Sequence, residues 1–152
     1  MDVTVRAWVP EDQEAVWDLV SRCLREFGFE PDPETSEADL HDVESYYRGG
    51  VFLVATDPAG RLLGTTGIAI LDPNTAKLRK MYVDPSFRGK GVGRLLLNSA
   101  VDFARSKGMR EVLLETTEQM AAARRLYESY GFVQVEGEAA SPRCHLLYRL
   151  VL

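Results

Sequence analysis

The chain has 152 residues, 45% hydrophobic and 27% charged, the balance of one soluble globular domain, and residues 1–152 are read as a single domain. A net charge of −5 and a pI near 5.1 argue against nucleic acid as a partner, since phosphate binding wants an excess of cations. No apolar run approaches spanning length and no leader precedes the first strand, so no membrane partner and a cytoplasmic location are expected.

Val3 to Trp8 alternate and predict a strand, ended by Pro10. Pro10-Glu11-Asp12 gives an acidic helix start, and Val16, Leu19, Val20, Cys23, Leu24 and Phe27 form one helical face closed by Gly28. After a loop holding Pro31 and Pro33, Ser36 is the expected N-cap of a second helix. Leu40, Val43 and Tyr47 line that helix, which ends at Gly49-Gly50. Val51 to Thr56, Leu62 to Leu71 and Ala76 to Val83 then read as three strands joined by tight turns, an antiparallel meander. Val92, Leu95, Leu96, Ser99, Ala100 and Phe103 line a helix that stops at Lys107-Gly108. A strand from Glu111 to Glu115 and a helix from about Gln119 to Tyr130 follow, with Gly131 as the stop. Two last strands, Phe132 to Glu138 and Cys144 to Leu152, flank a turn at Ser141-Pro142. The strand-helix-strand crossover over residues 76–115 demands a parallel pair, so the sheet must be mixed.

Cys23 and Cys144 are far apart and read as reduced, packed thiols. His41 and His145 lack metal-ligand spacing, so no metal is expected. The acid excess is uneven. No Asp or Glu lies between Pro85 and Val101, a window holding Arg88, Lys90 and Arg94. Such a cationic island in an acidic chain suggests a small anionic ligand.

The island coincides with Arg88-Gly89-Lys90-Gly91-Val92-Gly93-Arg94, between a strand and a helix. Glycines let backbone approach a phosphate, and amides at a helix start point toward an anion. Lys90 is followed by Gly91 rather than Ser or Thr, so this is no Walker loop. Leu96 stands where a dinucleotide fingerprint read from Gly91 needs glycine.

Met81 to Gly93 resembles motif A of the GNAT superfamily, whose core is R/Q-x-x-G-x-G/A. About thirty residues on, Ala123-Arg124-Arg125-Leu126-Tyr127-Glu128-Ser129-Tyr130-Gly131-Phe132 resembles its motif B, A-x-x-L-Y-E-x-x-G-F. The resemblance implies an α/β (α+β) fold: a mixed, mostly antiparallel sheet of about seven strands flanked by about four helices. It implies direct acetyl transfer from acetyl-CoA, with no metal, to a primary amine of a small molecule or peptide. A second copy of the chain is admitted as a partner. The alternative is a non-catalytic acyl-CoA-binding sensor on the same fold.

By the same resemblance, Arg88, Gly89, Lys90, Gly91, Val92, Gly93 and Arg94 hold the pyrophosphate. The backbone of Met81, Tyr82 and Val83 takes the pantetheine arm, where a bulged fourth strand parts from the splaying strand, Val112 to Glu115. Tyr127 protonates the leaving thiolate, and Tyr130 is its nearest competitor. Glu115 is a candidate base, beside Glu44 and Asp39 in the N-terminal region. Many relatives carry an asparagine seven residues before the motif B tyrosine, touching the CoA arm. Here that position is Met120, so the interaction is either missing or supplied by Thr117 or Gln119. Lys77, Arg79 and Lys80 could recognise a carboxylate or phosphate on the acceptor, Arg79 best for bidentate contact, or could form a solvated basic strand. The segment Phe27 to Tyr47, with Pro31, Pro33, Tyr46 and Tyr47, is expected to form part of the cleft wall or lid.

Overall fold

A computed structural model of the chain describes residues 2–137 and 143–152. Its seven strands are β1 (Thr4–Ala7), β2 (Val51–Thr56), β3 (Leu62–Ile70), β4 (Thr75–Val83), β5 (Glu111–Thr116), β6 (Val133–Val135) and β7 (Leu146–Val151). They form one sheet in the order β1-β2-β3-β4-β5-β7-β6. Every neighbouring pair is antiparallel except β4 and β5, the parallel pair that the crossover requires. The sixth strand ends at Val135, short of the expected Glu138, and the turn expected at Ser141-Pro142 lies outside the described residues.

Five α-helices pack on this sheet, one more than expected: α1 (Gln13–Glu26), α2 (Ala38–His41), α3 (Val43–Tyr46), α4 (Val92–Ser106) and α5 (Ala121–Tyr130). The extra helix arises because the predicted second helix is broken. Asp42 leaves helical geometry at φ −145° and ψ 73°, and its carboxylate accepts from the Ser45 amide to start α3. An aspartate that offers the backbone such a bond competes with helix continuation. Ser36 is not the cap; Glu37 precedes α2 and turns its side chain inward. The helix predicted from Gln119 begins at Ala121 instead.

Alternation along the strands feeds two cores. Leu53 and Ala55 of β2 face α4, joining Leu96, Leu97, Ala100 and Ala104, while Phe52 and Val54 face α1 to α3, meeting Val16, Val20, Leu40 and Tyr47. Gly67 of β3 is a seat for Tyr47, because a Cβ there would stand 2.5 Å from the tyrosine ring. None of these helices, among the described residues, is long and apolar enough to cross a membrane.

Two irregularities of β4 shape everything downstream. Pairing with β5 runs only from Thr75 and Glu111 to Leu78 and Leu114, so the strands part after Leu114, within the stretch Val112 to Glu115 expected to splay. Beyond that point β5 follows β7 and β4 follows β3. The β3–β4 register also slips between Thr65 and Gly67, and Lys80 takes the left-handed value φ 53°. This is a bulge. The Thr65 hydroxyl donates to the Lys80 carbonyl at 2.8 Å and the Thr66 hydroxyl to the Arg79 carbonyl at 3.3 Å, which satisfies both displaced groups.

Candidate active site

Two clefts of about 550 Å³ each open where β4 and β5 part, and both are lined by Tyr82 and Met120. The first is walled by the glycine loop, the end of β4 and the start of α5; the second by β4, Glu115 and the segment before α2.

In the first cleft Gly89 and Gly91 hold φ of 76° and 85°, values that L side chains rarely adopt. They turn the chain so that α4 starts at Val92. Leu95 is the first residue to bond back into the helix, its amide donating to Gly91, so the amides of Val92, Gly93 and Arg94 lie ahead of the intrahelical ladder. Gly91, Val92, Gly93 and Arg94 all line the cleft, as do Met81 and Val83. Gly93 lets α5 approach, since a Cβ there would meet Leu126 Cδ2 at 3.1 Å. Backbone amides and a helix start thus make an anion cradle. Its fit to a pyrophosphate with an apolar arm is good, because the wall beyond the loop is Ala121, Ala122, Ala123 and Leu126.

The loop's cations contribute less than their number suggested. Arg88 forms a two-pronged pair with Glu26 of α1 at 2.7 and 2.8 Å, which offsets its charge and ties the loop to that helix. Lys90 is not on the cleft wall; its ammonium lies 5.4 Å above the Phe87 ring. Arg94 lines the cleft while donating to the Ser129 hydroxyl at 2.7 Å. At the position of the missing asparagine, Met120 and Gln119 both line the cleft, whereas Thr117 is buried off it.

The second cleft owes its charge to the bulge. Side chains on a regular strand alternate, so Lys77 and Arg79 share a face and Lys80 belongs to the other. The left-handed Lys80 brings its ammonium to the same side, where it and Arg79 both donate to the Ser36 carbonyl. Each cation meets an acid. Lys77 binds Glu115 at 3.0 Å, Lys80 lies 3.1 Å from Asp39 and 3.6 Å from Glu37, and Arg143 binds Glu37 at 2.9 Å. Burial pushes the Lys80 ammonium below the ordinary lysine range, and Asp39 pulls it back. The sequence offered no signal for Glu37, whose role depends on contacts from β4 and from Arg143.

Glu115 therefore lines the second cleft at the foot of the parted strands. Asp39 sits behind it, 1% exposed, and Glu44 lies on the surface, so neither is placed as a base in the cleft. Tyr47 does not line the cleft either. It is buried, and its hydroxyl donates to Asp39 at 2.6 Å; its neighbour Tyr46 reaches Arg79 instead. Tyr127 is buried on α5 beside Phe132, in the core cluster, and lines neither cleft. Cys144 lines the second cleft within electrostatic reach of both Tyr127 and Tyr82. Both cysteines are free thiols, and no metal-binding group of side chains occurs among the described residues.

Burial pushes the phenols of Tyr47, Tyr82 and Tyr127 above the ordinary tyrosine range. The unfolded phenol titrates near ~10, so above that pH the unfolded chain sheds protons that the folded chain retains. Stability should then be full below pH ~10 and fall above it, by up to ~1.4 kcal/mol per pH unit for each of these groups. Urea titrations stepped from neutral to alkaline pH would show this; a flat profile would contradict it.

A model described as the acetyltransferase (GNAT) family matches residues 14–132. A mycothiol acetyltransferase of Renibacterium salmoninarum is 29% identical over 90% of this chain and 42% of its own length. An N-acetylaspartate synthetase of Danio rerio is 40% identical over 64% of this chain and 36% of its own length. The chain thus spans less than half the length of these two curated relatives. Among solved structures, a GNAT-family acetyltransferase of Staphylococcus aureus superposes with a TM-score of 0.91 at 22% identity, covering 97% of this chain and 98% of that one.

Proposed function

The chain belongs to the acetyltransferase (GNAT) family, and from that premise we propose that it is an acetyl-CoA-dependent N-acetyltransferase moving the acetyl group directly to a primary amine of a small molecule or peptide. The observation that carries this is the meeting of two clefts at Tyr82 and Met120, one an anion cradle and the other a polar pocket holding Glu115. Bound acetyl-CoA supplies an activated acyl group. In the overall exchange an N–C bond forms, a C–S bond breaks, the amine loses a proton and the sulfur gains one.

The protein's part is to hold both partners and move those protons. The amides of Val92 to Arg94 take the pyrophosphate, and residues 81–83, free of β5, present backbone to the arm. Glu115 takes the amine proton, and the Lys77 ammonium at 3.0 Å holds its carboxylate in place. Tyr127 stays protonated at working pH and donates toward the sulfur. The relatives whose names specify mycothiol and N-acetylaspartate products support an acetyl acceptor of low molecular weight.

Turnover of acetyl-CoA, followed as free-thiol release against peptides, polyamines, amino acids and aminoglycosides, tests the proposal. Acceptor-dependent release is the expected result. Tight CoA binding with no release for any acceptor would favour the sensor reading and sink the enzymatic one.

A further inference from the structure

We propose that the acceptor amine carries an anionic group, a carboxylate or a phosphate, bound by Arg79 with help from Lys77. This deepens the acetyltransferase reading and rests on it. The cations facing the second cleft are Lys77, Arg79, Lys80 and Arg143, and the carboxylates around it are Glu37, Asp39 and Glu115, with Asp32 within reach of Arg143.

Every lining carboxylate is already committed. Glu37 is shared between Lys80 and Arg143 and also accepts from the Asp32 amide; Glu115 holds Lys77; Asp39 behind them serves Lys80 and Tyr47. A polycationic acceptor would have to displace a fixed cation from one of them.

Donors, by contrast, are in surplus. A guanidinium carries five N–H groups in a fork suited to carboxylate or phosphate. Arg79 uses one on the Tyr46 hydroxyl and one, at 3.4 Å, on the Ser36 carbonyl, while its Nε stands 3.8 Å from Asp39, beyond hydrogen-bond range. Lys77 uses one of its three protons on Glu115. Both side chains rise from one face of β4 two residues apart, the spacing at which they can grip one anion. With the anion held there, the adjoining amine lies toward Glu115 and the parted strands. The same cations disfavour an ammonium ion, so they help keep the amine neutral for attack.

The test uses the full chain, acetyl-CoA and acceptors matched except for the anion: glycine and aspartate against glycinamide and asparagine amide, phosphoethanolamine against ethanolamine, and spermidine. An anionic acceptor should exceed its neutral counterpart in kcat/KM by about 10- to 100-fold, the scale of one or two charge-assisted hydrogen bonds. Which pair shows the larger ratio identifies the anion as carboxylate or phosphate. Arg79→Gln should collapse that ratio to within about threefold, and Arg79→Lys should recover part of it. Because Arg79→Gln touches a buried cluster, Lys77→Gln serves as a second variant and should shrink the ratio as well. Equal use of charged and neutral partners, or a preference for spermidine, would overturn this inference while leaving the acetyltransferase intact. Retained acetyl-CoA binding without turnover of any acceptor would overturn both.

Discussion

Tyr127→Phe is expected to lower kcat by on the order of 10²-fold, the low end of the range for a positioned acid, while acetyl-CoA affinity and stability hardly change. The substitution removes one oxygen and keeps the ring that packs 5.9 Å from Phe132, so the core around α5 is preserved. What it removes is a proton donor that burial holds in the neutral form throughout the working range. A raised pKa weakens a phenol as a full proton donor to a thiolate whose conjugate acid sits near ~8.5, so its contribution lies in a hydrogen bond that strengthens as negative charge gathers on sulfur. Steady-state kcat by thiol release, with CoA binding followed by calorimetry, separates the two effects. The informative comparison is Tyr82→Phe. Tyr82 lines both clefts and is likewise held neutral, so an unchanged kcat in Tyr127→Phe beside a large loss in Tyr82→Phe would transfer the role to Tyr82.

Tyr82 enters that comparison only through the folded chain, whereas the glycine loop was legible beforehand because its chemistry is local. Gly89 and Gly91 need left-handed backbone, and the helix begins where the apolar period begins. The antiparallel meander and the one parallel pair followed from turns and the crossover in the same way, though the order of the last strands did not. The family resemblance implied a bulged fourth strand, but the place of the bulge was not legible, since it depends on Thr65 and Thr66 of another strand holding the carbonyls of Lys80 and Arg79. Without it, strict alternation sends Lys80 to the opposite face and hides the ionic cluster. The N-terminal region misled for the same reason. Asp39 and Glu44 were equivalent acids in the chain, but only contact with β4 distinguishes a buried anchor from a surface charge. Tyr46 and Tyr47 read alike as cleft wall, yet only Tyr46 reaches Arg79; Gly67 draws Tyr47 into the core.

Asp39→Asn is expected to destabilise the fold by ~3–5 kcal/mol, the cost of removing one partner from a buried ion pair. Asparagine keeps the shape and can still accept from the Tyr47 hydroxyl, but it carries no charge. Lys80, its side chain 7% exposed, would retain the neutral Ser36 carbonyl and, as its acid, Glu37 at 3.6 Å, which Arg143 already claims. The penalty is thus the desolvation of a poorly compensated ammonium rather than the absence of one hydrogen bond. A second variant separates the two. Lys80→Met added to Asp39→Asn removes the stranded charge and should recover much of the stability, a non-additivity that independent sites do not show. Glu44→Gln, three residues past α2 on the exposed side, should stay within ~0.5 kcal/mol of the parent. Urea unfolding of the parent, Asp39→Asn, Lys80→Met, the double variant and Glu44→Gln measures all of this. An Asp39→Asn chain as stable as its parent would mean that the cluster is held by its surroundings and stabilises nothing, and the cations of β4 would then be free to move when the acceptor binds.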